Sequence, residues 1–315
     1  MRVAVTSPFF HLIPHLKIEM LNKYPDSIFK ETFPPIKGDE LVDFCQGCEG
    51  AVIGLDQFDD YVLSRLPELK VIGLCSAGAD HIDPVAMQKY GKRMGWVAGI
   101  NKIAVAEMTI SHMINILRNF HKFSREARLG NWPARREGTL LQGKTVGIHG
   151  CGNIGKEVVK RLIPFEVNIL ACDKEDYSDF YKKYGVTKVE KDELWRNSDI
   201  LTIHVSRNKQ TIGMYNSKVL DKLKPGAFII NTARGRIFDE IALFERLNDG
   251  QIKAAAFDVF EIEPAINTPL YKLENFYPTP HTGAGAQEAW EAMARSGILG
   301  LTENWLPEPG IYPYD

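Results

Sequence analysis

Short apolar runs alternate with amphipathic stretches along most of the chain. Buried-strand patterns cover 2–6, 50–54, 70–75, 144–149, 167–172, 200–205, 227–232 and 254–259, and a further short strand is expected over 95–100. Helical patterns separate many of these runs, at 40–46, 59–66, 83 onwards, 154–162 and 239–247. Strands that alternate with helices predict parallel sheets covered by helices, so the expected fold class is α/β.

Three stretches depart from this alternation. Five prolines predict an irregular segment between the first strand and residue 36. A long helix is predicted over 104–123, with an apolar stripe that suits a core or a dimer contact and leaves His112 and His121 to solvent. The stripe consists of Ile110, Met113, Ile114, Leu117 and Phe120. The polar segment 125–142 is expected to be irregular and to form an arm that packs on a partner subunit.

Length and charge limit the class of protein. A chain of 315 residues has room for about two domains. Lysine and arginine number 38 against 40 aspartates and glutamates, with no basic stripe, so no nucleic-acid partner is expected. No apolar run approaches the ~20 residues that span a bilayer, and residues 1–10 resemble a first strand rather than a signal peptide. The expected location is therefore the cytoplasm, with no membrane partner.

The cysteines fit a reducing compartment. Their number is five, which is a poor basis for a disulfide framework. Cys45 and Cys48 form a C-x-x-C without a second pair, so we expect small residues near a helix end rather than a redox or metal site. Cys151 lies inside a glycine-rich loop, where its oxidation is a hypothetical way to block a ligand. No metal site is predicted.

The most informative stretch is 143–173. It predicts a strand, a tight turn, a helix that ends near Pro164 and a second strand that ends at Asp173. The turn carries glycines with the spacing G-x-G-x-x-G. Three glycines alone could serve only a close strand–helix joint, but the complete ordered unit, with an acid about twenty residues later, is typical of a dinucleotide site.

Each part of this motif has a physical role. Gly150 permits the tight turn, Gly152 lets a pyrophosphate approach the backbone, and Gly155 lets the helix pack on the strand. The helix N-terminus offers N–H groups and partial positive charge to phosphate. Asp173 would accept hydrogen bonds from ribose hydroxyls and repel a 2′-phosphate, which favours NAD, although the neighbouring Lys174 leaves NADP open.

Polar residues with complementary chemistry follow later strands. Reduction of a keto acid needs a cation for the carboxylate, a proton donor near neutral pH and a carboxylate that holds the donor, and Arg234, His281 and Glu263 suit these roles. Their spacing alone does not show that they meet, and each could be an ordinary solvated residue. The small-residue loop 76–80 follows a predicted strand, so it is a candidate substrate loop.

The order of the motifs resembles the D-isomer-specific 2-hydroxyacid dehydrogenase family over nearly the whole chain. The segments that carry the resemblance are SAGADHID at 76–83, INKIAVAE at 100–107, GIHGCGNIG at 147–155, NTARG at 231–235, DVFEIEP at 258–264 and TPHTGAG at 279–285. The resemblance implies two Rossmann-like parallel-sheet domains with the active site in the cleft between them. It places the substrate domain at 1–98 with 284–315 and the inserted NAD-binding domain at 99–283, and it implies a homodimer through the latter.

The resemblance also assigns residues. It implies that Arg234 binds the substrate, that His281 is the acid/base, and that Glu263 pairs with it. Backbone N–H groups of Ala77 and Gly78 would bind the substrate carboxylate. The implied NAD contacts are Gly150, Gly152, Asn153, Ile154, Gly155, Asp173, His204, Val205, Thr232, Ala233 and Asp258.

Departures from the family pattern leave the substrate open. Ser206 and Arg207 follow His204-Val205 where the family often has a proline and a hydroxyl residue. Segment 54–57 lacks the cation that phosphoglycerate dehydrogenases use for phosphate, which disfavours phosphoglycerate, and a glutamate at 263 disfavours formate. The predicted activity is NAD-dependent interconversion of a 2-keto acid and a D-2-hydroxy acid. D-3-phosphoglycerate dehydrogenase and a non-enzymatic NAD-sensing corepressor remain alternatives.

Overall fold

The computed structural model describes residues 1–31, 34–134 and 137–310, which form two compact units. The first unit comprises the described residues within Met1–Asn101 and Gly285–Asp315, and the second comprises those within Lys102–Ala284. Residues 135 and 136 of the predicted arm, and residues 311–315 of the predicted substrate domain, lie outside the described residues.

The elements follow one another in the α/β order that the sequence predicts. The strands are β1 Val3–Val5, β2 Ile28–Phe29, β3 Gly50–Ile53, β4 Val71–Leu74, β5 Arg93–Gly95, β6 Thr145–His149, β7 Asn168–Cys172, β8 Thr187–Lys188, β9 Ile200–Ile203, β10 Ala227–Asn231, β11 Ile252–Phe257 and β12 Phe276–Pro278. The helices are α1 Phe9–Leu12, α2 Pro14–Lys23, α3 Gly38–Cys45, α4 Asp60–Ser64, α5 Pro84–Lys89, α6 Lys102–Leu117, α7 Phe120–Arg128, α8 Asn153–Leu162, α9 Ser178–Tyr184, α10 Lys191–Asn197, α11 Ser217–Leu220, α12 Glu240–Asn248 and α13 Gln287–Gly300.

The first unit is a parallel sheet in the order β2-β1-β3-β4-β5. Strands β1, β3 and β4 are buried throughout, because apolar side chains on both faces pack beneath helices. The prediction that 7–36 is irregular is wrong, since α1, α2 and β2 lie there. Pro14 occupies the first turn of α2, where a missing N–H costs no helical hydrogen bond. The strand expected at 95–100 lies earlier and ends at Gly95.

The second unit is a parallel sheet in the order β12-β11-β10-β9-β6-β7-β8. The two parallel sheets with alternating helices confirm the predicted α/β class. Strand β6 pairs with both β7 and β9, so the chain order reverses beside β6. Ligands of such sheets bind beyond the carboxyl ends of the strands at that reversal, which directs attention to the loops that follow β6 and β9–β12.

The predicted long helix is interrupted. Helix α6 ends at Leu117, Asn119 has φ +52°, and α7 then continues to Arg128, so the start of the segment expected to be irregular is helical. His121 is exposed, as expected, but His112 is 4% exposed, so the prediction of a solvated His112 is wrong. Its ring lies on the buried side of α6 beside the last strand of the sheet, and burial lowers its pKa.

The five cysteines are free and buried. Burial raises the pKa of Cys45, and it does the same for Cys48. Burial, with the charge of Asp173, raises the pKa of Cys151 to about 12. A buried neutral thiol reacts poorly with oxidants, which argues against the hypothesis of a redox-sensitive Cys151.

Over the described ranges, each helix is too short or too polar to cross a lipid bilayer.

Candidate active site

The loop after β6 is shaped by close backbone contacts. Gly150 has φ +93°, and a Cβ atom there would lie 2.7 Å from the backbone carbon of His204. A Cβ on Gly155 would lie 2.2 Å from the carbonyl oxygen of Gly150, so glycine is needed for α8 to pack on the loop. A Cβ on Gly152, in contrast, would meet nothing within 4 Å. The fold itself does not require glycine at 152, and the space above it is open to a ligand.

The N-terminus of α8 presents donors at this open space. The helix begins at Asn153, and its N-cap, Gly152, has no side chain to accept from the first turn. The N–H groups of Asn153, Ile154 and Gly155 belong to that first turn. Such groups and the helix dipole suit an anion, and the residues present therefore fit a dinucleotide pyrophosphate.

Asp173 joins the glycine loop to the end of β7. Its Oδ2 atom accepts a hydrogen bond from the Cys151 N–H at 2.5 Å, and its Oδ1 atom accepts one from the Glu175 N–H at 2.9 Å. Each carboxylate oxygen can accept a second bond. The predicted contact with ribose stays a prediction, and the structure adds a role in holding the loop.

Two histidines at the carboxyl ends of the neighbouring strands β6 and β9 are neutral. Burial, with the nearby His149, lowers the pKa of His204 to about 3, and burial lowers that of His149 to about 4. His204 Nε2 lies 3.0 Å from the Thr202 hydroxyl, and His149 Nδ1 lies 2.6 Å from the Tyr215 hydroxyl. Neither ring carries a charge beside the glycine loop. Sequence reasoning assigned no role to His149, although it lies in the motif 147–155, and none to Tyr215, which lies outside the motifs.

The turn after β10 positions Arg234. Asn231 Oδ1 accepts from the Ala233 N–H at 3.1 Å, and Asn231 Nδ2 donates to the Arg234 carbonyl at 3.1 Å. A Cβ on Gly235 would lie 1.7 Å from the Phe260 carbonyl oxygen, so glycine lets this turn touch the segment after β11. The NTARG segment thereby places the arginine next to the chain that carries Glu263. Thr232 and Ala233 are buried at the start of the turn.

Glu263 and His281 form a close pair. His281 Nδ1 lies 2.6 Å from Glu263 Oε2, and Glu263 Oε1 accepts from the Phe260 N–H at 2.9 Å. The His281 side chain is 46% exposed, and the contact of Nδ1 with Glu263 leaves Nε2 as the other ring nitrogen for a substrate. The structure therefore brings together an acid and a histidine that are separated by 18 positions in the sequence.

The charge of Arg234 acts on both members of the pair. The hydrogen bond to Glu263 raises the pKa of His281, burial opposes this, and the Arg234 charge lowers it slightly. Burial raises the pKa of Glu263, but its bonds to His281 and Phe260 and the Arg234 charge outweigh burial and lower it. A protonated histidine is favoured over a wider pH range, next to a fixed cation.

Asp258 holds the loop that carries His281. It is 1% exposed and accepts from the Thr279 hydroxyl at 2.6 Å, the Thr282 N–H at 2.8 Å and the Gly283 N–H at 2.7 Å. Its own carbonyl accepts from the His281 N–H at 2.9 Å. The carboxylate is well paired by these donors, and the predicted contact with the nicotinamide side of NAD stays a prediction.

The candidate substrate loop lies in the first unit, after β4. Ser76 Oγ donates to the Gly78 carbonyl at 2.7 Å, and Ala77 and Gly78 are half-buried residues. Asp56, after the neighbouring β3, is 1% exposed, and its Oδ1 lies 3.5 Å from Lys30 Nζ, which is also buried. The charge of Lys30 is thus neutralised within the fold. The assigned substrate role of Ala77 and Gly78 stays a prediction.

No cluster of at least three histidine, cysteine, aspartate or glutamate side chains suited to a metal ion occurs in the part of the chain that the structure describes.

Comparison with known proteins supplies the class. Residues 110–283 match the D-isomer specific 2-hydroxyacid dehydrogenase, NAD binding domain, family model. A glyoxylate reductase of Thermofilum pendens is 35% identical over 92% of this chain and 88% of its own length. A glyoxylate reductase structure from Paecilomyes thermophila superposes with a TM-score of 0.85 at 26% identity, covering 96% of this chain and 94% of its own.

The chain belongs to the D-isomer specific 2-hydroxyacid dehydrogenase family, which confirms the resemblance drawn from the motifs. Another relative is the D-3-phosphoglycerate dehydrogenase of Archaeoglobus fulgidus, 38% identical over 73% of this chain. The chain spans only 44% of the length of that protein.

Proposed function

We propose that this protein is an NAD-dependent oxidoreductase that interconverts a 2-keto acid and a D-2-hydroxy acid. One observation carries the proposal: His281 and Glu263 lie 2.6 Å apart, with the charge of Arg234 acting on both. A proton donor and a fixed cation at one place suit a carbonyl that gains negative charge on its oxygen. Membership of the dehydrogenase family supports the same chemistry.

The proposal gives each of the three side chains a role. Bound NADH supplies the hydride. Arg234 holds the substrate carboxylate through its guanidinium fork and polarises the adjacent carbonyl. His281 donates its Nε2 proton to the oxygen as negative charge develops there. Glu263 binds Nδ1, fixes the ring orientation and favours its protonated form.

The cofactor is assigned to the second unit. Gly150, Gly152 and Gly155 form the loop, and the first N–H groups of α8 bind the pyrophosphate. Asp173 binds the adenosine ribose and disfavours a 2′-phosphate, so we propose NAD rather than NADP. The open space over Gly152 supports the assigned position of the cofactor pyrophosphate. The other assigned NAD contacts are Asn153, Ile154, His204, Val205, Thr232, Ala233 and Asp258.

The proposed substrate is a small 2-keto acid, with backbone N–H groups of Ala77 and Gly78 as further carboxylate ligands. Relatives named glyoxylate reductase and hydroxypyruvate reductase support this size class. D-3-phosphoglycerate dehydrogenase remains a second candidate because relatives bear that name. Segment 54–57 supplies no cation for a phosphate, and the nearby Lys30 is paired with the buried Asp56. These contacts favour an uncharged substrate tail.

We also propose a homodimer formed through the second unit, in the cytoplasm. Large apolar side chains are exposed on or beside α6 and α7, namely Ile114, Phe120, Leu129, Trp132 and Leu140. Exposed apolar residues grouped in this way are typical of protein contacts. The five free thiols suit a reducing compartment.

The test is turnover by the purified protein. NADH and NADPH are each supplied with glyoxylate, pyruvate, hydroxypyruvate, phosphohydroxypyruvate and bulkier 2-keto acids, and oxidation of the cofactor is followed. We expect many turnovers per site with NADH and a small unphosphorylated keto acid. NADH binding with less than one turnover on every substrate would favour the NAD-sensing corepressor, and a clear preference for phosphohydroxypyruvate would favour phosphoglycerate dehydrogenase.

A further inference from the structure

Helix α6 places a buried polar pair against the loops of the candidate active site. Thr109 is fully buried and His112 is 4% exposed, three positions apart on one face of the helix, among apolar neighbours. Thr109 Oγ1 lies 3.0 Å from Thr232 Oγ1, at the turn that leads to Arg234. His112 Nε2 lies 3.4 Å from Thr279 Oγ1, in the loop that leads to His281. Buried polar groups at such positions are costly unless they are paired.

The Asp258 carboxylate fixes the direction of the hydrogen bonds that link it, through Thr279, to His112. Asp258 accepts the single hydroxyl hydrogen of Thr279 at 2.6 Å, because an ionised carboxylate can only accept. Thr279 Oγ1 can therefore only accept from His112. It follows that His112 carries a hydrogen on Nε2 and donates it. Hydrogen bonds that run in one direction strengthen one another in a low-dielectric interior.

The same carboxylate fixes the backbone around His281. Asp258 accepts from the Thr282 and Gly283 N–H groups, and its carbonyl accepts from the His281 N–H at 2.9 Å. His281 has φ +53°, a left-handed conformation that is unfavourable for a residue other than glycine. Such a conformation persists where surrounding bonds over-determine it. The bonds from Asp258 do so here, and His112 reaches them through Thr279.

We infer that His112 is a positioning residue, which acts through Thr279 and Asp258 to hold the His281 loop in the geometry that pairs His281 with Glu263. The inference rests on the proposed function only for the role of His281. Nothing in the motifs identifies His112, and the sequence pattern assigns it to solvent.

The charged groups around His281 and His112 determine how a change at His112 should affect the pKa of His281. His281 faces Glu263, Asp258 and Arg234, and His112 faces Asp258 and His121. A looser His281 loop weakens the bond to Glu263, which is the main cause of the raised His281 pKa. The pKa of His281 should then fall. A substitution at 112 that merely left a cavity would lower stability without moving that pKa.

The experiment compares His112→Leu, which removes the donor, with His112→Gln, whose amide N–H can replace it. We expect His112→Leu to lower kcat for keto-acid reduction roughly three- to tenfold, the effect of a single neutral hydrogen bond, with the KM for NADH within about twofold. The basic limb of its pH profile should move to lower pH. His112→Gln should restore both. Unchanged kcat and pH limb in folded His112→Leu, or equal loss in both variants, would overturn the inference.

Nuclear magnetic resonance gives a second test that needs no turnover. In histidine-labelled wild-type protein, with the His112 signal assigned from the His112→Gln spectrum, the ring should be neutral with its hydrogen on Nε2. The His281 titration should move to lower pH in Thr279→Val, which removes the hydroxyl at nearly constant volume. A hydrogen on Nδ1 of His112, or an unmoved His281 titration, would overturn the inference. If no keto acid is turned over, the proposed function fails. The His112 and His281 signals still show whether His112 acts on the His281 loop.

Discussion

The Nδ1 atom of His281 lies 2.6 Å from the Oε2 atom of Glu263, so the acid holds one of the two ring nitrogens. The arrangement leaves Nε2 for proton transfer. The negative charge of Glu263 also raises the pKa of the histidine, so the pairing can be tested through the pH dependence of activity.

Replacement of Glu263 by glutamine should move the reductive pH profile to lower pH. The bond to Glu263 raises the His281 pKa, so loss of the charge lowers that pKa, and the proton needed for reduction is lost at lower pH. We expect the midpoint of the basic limb of the kcat/KM profile to move to lower pH by on the order of one pH unit. The measurement is keto-acid reduction across pH 5 to 10, and a limb at the wild-type position would contradict the pairing.

Replacement of Arg234 by alanine should abolish reduction of 2-keto acids while NADH still binds. The guanidinium charge acts on both members of the pair, and its loss removes the proposed partner of the substrate carboxylate and carbonyl. We expect kcat/KM to fall by at least about a hundredfold, the effect of losing a group that stabilises developing charge. NADH binding, followed by fluorescence, is the control. If the Arg234→Ala variant kept most of the wild-type activity in 2-keto acid reduction, Arg234 would not have the proposed role in substrate binding.

Two glycines of the cofactor loop should respond differently to alanine. Gly152→Ala should fold normally and bind NADH weakly, because the added methyl group contacts no protein atom and occupies the proposed pyrophosphate position. Gly150→Ala should destabilise the protein, because φ is +93° and the methyl group would lie 2.7 Å from the His204 backbone. Thermal unfolding and NADH titration separate the two effects. Wild-type NADH affinity in Gly152→Ala would argue against the proposed cofactor position.

Lys92 should be a stability residue of the first unit. It is 5% exposed and donates to the carbonyls of Leu66, Pro67 and Leu69 at 2.8, 3.2 and 2.6 Å. Lys92→Met removes the charged donor from these carbonyls, and only the Leu66 carbonyl keeps a backbone bond, from the Leu69 N–H, among the bonds described, so the free energy of unfolding should fall by about 1–3 kcal/mol.

The matched control for Lys92 is Lys70→Met. Lys70 forms an exposed ion pair with Glu49, and such pairs contribute less than about 1 kcal/mol. Urea unfolding of both variants gives the comparison. Equal stability of Lys92→Met and Lys70→Met would show that the carbonyl contacts of Lys92 contribute little.

Local motifs were predictable because their physical causes lie within a few residues. The segment 143–173 contains a strand, a turn and a helix whose periodicity and glycines are read directly, and the structure has β6, α8 and β7 there. The prediction of an irregular segment over 7–36 was wrong because prolines occur at the starts of helices as well as at breaks, as Pro14 does in α2.

Contacts between distant segments could not be read in this way. The wrong assignment of His112 to solvent arose because burial on α6 depends on the strands packed against it. The bonds of Asp258 to Thr279 and Gly283 likewise depend on which strands are neighbours in the sheet. A polar residue within an apolar helical face, such as Thr109 or His112, is the one local signal that could have indicated this layer of the site.

The rate of NADH oxidation with glyoxylate or hydroxypyruvate, measured in a single turnover for wild-type protein and His281→Asn, tests the proposed chemistry most directly. The wild-type protein should convert bound substrate to the D-hydroxy acid where the product is chiral. His281→Asn should bind NADH normally and react at least about a hundredfold more slowly, the lower range for loss of a general acid. Absence of product with the wild-type protein, or a His281→Asn rate within a few fold of it, would contradict the assignment.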